Sequence, residues 1–217
     1  MKIKRLVAIL FCMLFTAFCM PVFAENKMLT VQAGGEKVLC LNFDGELSFF
    51  IPLSPEVKGF SDFGSSLLLL DSKGNMLMFG RTPLSECLSD GQIKKMKDKD
   101  KLKAFYVWEK AYQEKEYGRL SGNGMKVTDE GGTSAGYYKL DYPVSLESLG
   151  DTEVKAVHGL SFIYGDYVVY VNKMILKNQG ESESLQLLQA AFDGLKVSSE
   201  SFSSPEEALE VYFRVGK

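Results

Sequence analysis

Two apolar runs, from Leu160 to Tyr164 and from Tyr167 to Leu176, meet at Gly165-Asp166, and this junction constrains the fold more than any other feature of the chain. A two-residue turn of this kind folds the runs into an antiparallel hairpin with Tyr164 opposite Tyr167 and Phe162 opposite Val169. Both strand faces are rich in apolar side chains, so the hairpin must be central and covered on each side. Two further hairpins are expected earlier. Val38 to Phe43 and Glu46 to Ile51 flank Asp44-Gly45, and Leu67 to Leu70 and Met76 to Phe79 flank Asp71-Ser72-Lys73-Gly74-Asn75. Tyr137 to Tyr142 reads as another strand, ended by Pro143.

Helical periodicity is confined to three segments. The first starts near Ser89 or Asp90 and ends before Gly118, with Ala104, Phe105, Val107, Trp108, Ala111 and Tyr112 on one stripe that should pack on a sheet. Tyr106, Glu109, Lys110 and Gln113 fall on the opposite side. Near the C-terminus one helix runs from about Ser184 to Asp193, stopped by Gly194. Another opens at Ser204-Pro205-Glu206-Glu207, where Ser204 is placed to cap and proline takes the first helical position. Hairpins without regular βαβ alternation imply an α+β fold: a largely antiparallel β-sheet packed by one long central helix and two C-terminal helices.

The N-terminus predicts export. Lys2, Lys4 and Arg5 precede an apolar run from Leu6 to Met20, and Val22-Phe23-Ala24 supplies small residues for cleavage. The run is shorter than the ~20 residues of a membrane span, so residues 1–24 read as a cleaved signal peptide and residues 25–217 as a single domain in a periplasmic or secreted location. Cleavage removes three basic residues and no acid, taking a formal charge of −3 to −6. That balance argues against general nucleic-acid binding. After cleavage no transmembrane segment is expected. Of the four cysteines, Cys40 and Cys87 remain, and the sequence leaves open a disulfide between them or two separate buried thiols.

Gly132-Thr133-Ser134-Ala135-Gly136 matches the GxSxG pattern of a serine nucleophile, with Asp141 or Asp151 and then His158 following in the order that α/β-hydrolases use. The context is wrong for that fold. Polar turn residues precede the motif, and strand-like Tyr137-Tyr138-Lys139-Leu140 follows where a helix is required. His158 is the chain's sole histidine, beside Gly159, and reads as a partly exposed strand-end residue. One histidine makes a poor metal site and the 71–75 turn holds too few oxygens, so neither a metal nor a cofactor is expected. Lys94, Lys95, Lys97, Lys99, Lys101 and Lys103 form the densest basic run, but on one continuous helix they scatter around the axis, with Asp98 and Asp100 among them, as on a solvated helix start. Tyr137, Tyr138, Tyr142, Tyr164, Tyr167 and Tyr170 suit either a ligand-binding face or cross-strand packing; Tyr137, Tyr138, Tyr142 and Tyr170 are the candidate contact residues.

The Tyr142-Pro143 strand end, the long apolar hairpin and the helix closing on Phe192 before Leu195-Lys196-Val197 resemble the PsbP-like or DcrB-like group of small exported α+β proteins over residues 137–197. Ala191 stands where that family prefers serine. The resemblance implies a non-enzymatic accessory or binding domain and transfers no catalytic residue. The leading expectation is therefore an exported, non-enzymatic domain that binds an envelope protein or a small ligand. The alternatives are a small secreted serine hydrolase using Ser134 and His158, and an envelope structural or stress protein without a ligand.

Overall fold

The computed structural model describes residues 26–130, 133–143 and 154–215. The signal-peptide expectation, Gly132 and Asp151 lie outside the described residues. Among the described residues, twelve strands form two antiparallel sheets rather than the one expected. The first joins β1 (Lys27–Ala33), β2 (Glu36–Phe43), β3 (Leu47–Pro52) and β12 (Lys196–Ser198). The second runs β4 (Val57–Asp62), β5 (Ser66–Asp71), β6 (Met76–Pro83), β11 (Tyr167–Leu176), β10 (Val154–Tyr164), β9 (Thr133–Asp141), with β7 (Ser121–Gly122) and β8 (Lys126–Glu130) pairing on the outer side of β9. The central hairpin holds its expected register, Phe162 opposite Val169 and Tyr164 opposite Tyr167.

The described residues also hold five helices: α1 (Leu84–Cys87), α2 (Asp90–Lys95), α3 (Asp98–Tyr117), α4 (Glu181–Gly194) and α5 (Pro205–Val215). Alternation along the strands sorts the core into layers. Leu39, Leu41 and Phe43 of the first sheet meet Leu67, Leu69, Val169 and Val171 of the second, with Leu188 of α4 between them. Val38, Cys40 and Phe50 point the other way, onto Ala208, Val211 and Tyr212 of α5. Tyr138, Leu140 and Val168 face Leu102, Phe105 and Tyr106 of α3. The order is thus α5, sheet, sheet, α3, which is why strands of both sheets are apolar on both faces.

Arg81 ties the sheets together. Its buried guanidinium donates to Asp44 (2.9 Å) and Glu46 (2.8 Å) in the β2–β3 turn, and lies 4.7 Å from the centre of the Tyr167 ring. Asp44 takes a left-handed φ of 54° and Gly45 one of 76°, as this turn requires.

The single helix expected from residue 89 or 90 is broken. Met96 and Lys97 are extended (ψ 144° and 154°), and α3 restarts with Asp98 and Asp100 in its first turn, where carboxylates favour the positive end of the helix dipole. Helix α4 begins three residues before the expected Ser184. At α5 the Glu207 amide donates to the Ser204 hydroxyl (3.2 Å), while the Glu207 carboxylate accepts from Ser203.

The layers separate Cys40 from Cys87. The first is buried under α5, the second packs at the end of α1 on the α3 side, and both are free thiols. Two sheets intervene, each layer spacing about 10 Å, whereas a bridge needs Cα atoms within about 7 Å. Burial pushes both thiols up to about 12. Alkylation of the denatured chain without reductant is expected to label both; a protected Cys40–Cys87 pair would refute the layer assignment.

Candidate functional site

Ser134 and His158 do not converge. In the β9–β10 ladder His158 stands opposite Lys139, five residues along the strand from Ser134. Five residues of strand span about 17 Å. Their faces also differ. His158 shares its face with Leu160, toward α4 and the other sheet, while strand alternation sets Ser134 on the α3 side with Gly136 and Tyr138. The Ser134 hydroxyl donates instead to Asp129 across the β8–β9 hairpin.

His158 is not a strand-end residue. It lies inside β10 at 1% exposure, with the Tyr137 hydroxyl 2.8 Å from Nδ1 and Glu181 Oε1 3.3 Å from Nε2. Lys139 pairs with Glu181 (2.7 Å) and Asp141 (3.1 Å) at the surface above it. Burial lowers the imidazole pKa against the pull of Glu181. On the other side of His158 in the ladder stands Lys173, fully buried, whose Nζ donates to Gln179 Oε1 (2.9 Å) and the Met174 carbonyl (2.8 Å). Loss of hydration brings its amine down to about 8. The row Lys139, His158, Lys173 therefore closes the α4 end of the core. Among the described residues, no group of three or more His, Cys, Asp or Glu side chains is placed to hold a metal.

The candidate tyrosines divide between the two faces. Tyr137 lies with His158; Tyr138, Tyr142 and Tyr170 lie beneath α3. Two of these rings lie flat across glycines. A Cβ on Gly159 would come within 2.3 Å of the Tyr138 ring, and one on Gly80 within 2.4 Å of the Tyr170 ring. Each glycine stands directly opposite its tyrosine in the ladder. Tyr138 donates to Asn172 Oδ1 (2.9 Å), and Tyr170 stacks on Phe105 of α3. These tyrosines build the α3–sheet interface.

The Tyr142 hydroxyl bears on the face that α3 presents. The buried positions of α3 are Leu102, Phe105, Tyr106 and Gln113; of the stripe expected from periodicity, Phe105 is buried and Ala104 and Trp108 pack on the core, while Val107 and Ala111 are exposed. Tyr142 donates to Gln113 Oε1 (2.7 Å), and Gln113 Nε2 donates to Glu109. An apolar side chain at position 113 would take this acceptor from the buried Tyr142 hydroxyl, so the helix turns its polar pair inward. Burial raises the Glu109 carboxyl pKa, against the opposing hydrogen bond from Gln113. Asn172 Nδ2 is buried there with no hydrogen-bond partner. Glu109, Gln113 and Asn172 were not legible as a group in the sequence. The signal that could have found them is the i, i+4 spacing of Glu109 and Gln113 together with the demand of buried tyrosines for acceptors.

The rotation leaves apolar side chains outside. Val107 is 65% exposed, Ala111 is exposed, and Trp108, partly exposed, stacks between Phe105 and Tyr112. An open, mostly polar groove of about 540 Å³ lies elsewhere, between Lys27, the Asp44-Gly45 turn and the start of α5 at Ser203 and Glu207.

These features define an antiparallel two-sheet α+β protein with a long helix standing on the outer face of the larger sheet. Among solved structures, the chain is similar to the cyanobacterial PsbP (CyanoP) from Synechocystis sp. PCC 6803, at 12% identity and a TM-score of 0.47, over 83% of this chain and 97% of that one. The sequence matches no protein-family model and no curated protein.

Proposed function

We propose that the chain is an exported, non-enzymatic accessory protein that holds a protein partner on the outer face of α3. The exposure of Val107, on a helix whose polar Glu109 and Gln113 turn inward, carries the proposal. The buried Tyr142 hydroxyl accounts for the inward turn of Gln113, and with it of Glu109, and the same rotation leaves Val107 and Ala111 facing outward. Here Val107 and Ala111 stand exposed beside the partly exposed Trp108, a side chain favoured at the centres of protein interfaces. No helix among the described residues is long and apolar enough to cross a membrane.

A photo-reactive side chain placed at Val107 or Ala111 in cells tests this. Discrete protein adducts are expected at both positions and not at Glu206, an exposed position on α5 at the opposite outer layer. No adduct at Val107, or the same pattern at all three positions, overturns the proposal.

A further inference from the structure

From the corner between α2 and α3 we infer a second contact: residues 90–103 dock the protein on an anionic lipid bilayer. This segment carries six lysines and three aspartates, a local charge of +3 on a chain that is otherwise acidic. With residues 1–24 removed, the remaining residues sum to −9. The charge is therefore sharply divided between one corner and the rest of the molecule.

The helix break changes what these lysines can do. On one continuous helix they would scatter around the axis, but the extended Met96-Lys97 step separates Lys94 and Lys95 on α2 from Lys99 and Lys103 on α3. Lys99 and Lys103 are four apart and share a face of α3. Lys94, Lys95, Lys97, Lys99 and Lys103 are all exposed. Lys101 pairs with Asp98 at 3.0 Å, and among the described residues the other five have no ion-pair partner. Ile93 and Met96, half-buried against the α3-side core, fix the corner to the body of the protein.

The chemistry selects a lipid surface over an acidic protein. Lysine is a hydrated point charge on a long stem, suited to a diffuse field, whereas carboxylate recognition at an interface favours the arginine fork. Residues 90–103 hold no arginine and no aromatic side chain, the residues that anchor protein interfaces. At physiological salt, screening over about 8 Å hides the acidic remainder from a surface touching the corner.

The test uses the chain from residue 25 and sedimentation with vesicles. Binding to equimolar phosphatidylglycerol and phosphatidylcholine is expected, with none to pure phosphatidylcholine, and with release at high salt. Each lysine near such a surface contributes about 1 kcal/mol, so Lys95→Gln, Lys97→Gln and Lys99→Gln together should lower partitioning about 100-fold. The charge-matched control replaces exposed Lys37, Lys58 and Lys126 with glutamine and should stay within about threefold of the parent. Equal binding to both vesicles, no binding to either, or equal losses in the two triple variants would overturn the inference. Because Val107 and Ala111 are untouched in these variants, failure here leaves the α3 adducts unaffected, and the converse holds.

Discussion

Gly159→Ala is expected to destabilise the protein by about 3 kcal/mol, at the upper end of the usual cost of forcing a methyl into a packed core. The added Cβ would lie 2.3 Å from the Tyr138 ring and 2.6 Å from Asn172 Oδ1. Both neighbours are buried and hydrogen-bonded to each other, and Tyr138 is further held by the rings of Phe105 and Tyr106. The ring cannot move aside without breaking that bond and lifting α3. Tyr138→Leu removes the part of the ring that collides, so the double variant should lose much less than the sum of the singles. Denaturant unfolding of the four proteins measures this coupling. Strict additivity, or a loss below about 1 kcal/mol for Gly159→Ala, would show that the tyrosine does not lie on the glycine.

Lys173→Met is expected to do the opposite and stabilise the protein near neutral pH. The amine is fully buried and its pKa falls from 10.5 to about 8 in the folded chain. Below pH 8 it is charged in both states, and the folded state bears the whole cost of burying that charge. As pH rises from about 8 to 10.5 the folded form is neutral while the unfolded form still binds the proton, so the cost disappears across this window. A shift of this size corresponds to about 3 kcal/mol. Methionine is similar in length and carries no charge, but it gives up the hydrogen bonds to Gln179 and the Met174 carbonyl, so a net gain of about 1–2 kcal/mol is expected at pH 7. Unfolding measured at pH 7 and pH 10 should show the gap between variant and parent closing. A variant less stable than its parent at pH 7, or a gap independent of pH, would mean that Gln179 and the nearby Asp71 and Glu183 fully compensate the buried charge.

The candidate site was legible in unequal parts. Tyr138, Tyr142 and Tyr170 stood out by type, but their role as interface rings follows from Gly159 and Gly80, which no local pattern pairs with them. The GxSxG motif was visible, and its poor context was visible too, yet only the ladder sets Ser134 and His158 on opposite faces. For α3, periodicity placed Phe105 inward but also Val107 and Ala111, because hydrophobic spacing takes no account of the Tyr142 hydroxyl that Gln113 meets.

The central hairpin was determined by the sequence itself. Gly165-Asp166 and the apolar alternation on either side specify turn, register and burial within about fifteen contiguous residues, where local sterics and pairing suffice. The same holds for the Asp44-Gly45 turn and the Ser204-Pro205 helix start. What only the tertiary structure decided is how those pieces stack: two sheets instead of one, Cys40 and Cys87 in opposite layers, Lys173 and His158 side by side in the core, and the rotation of α3. Each depends on contacts between residues distant in the chain, where a buried polar group must find a partner across layers that no local window contains.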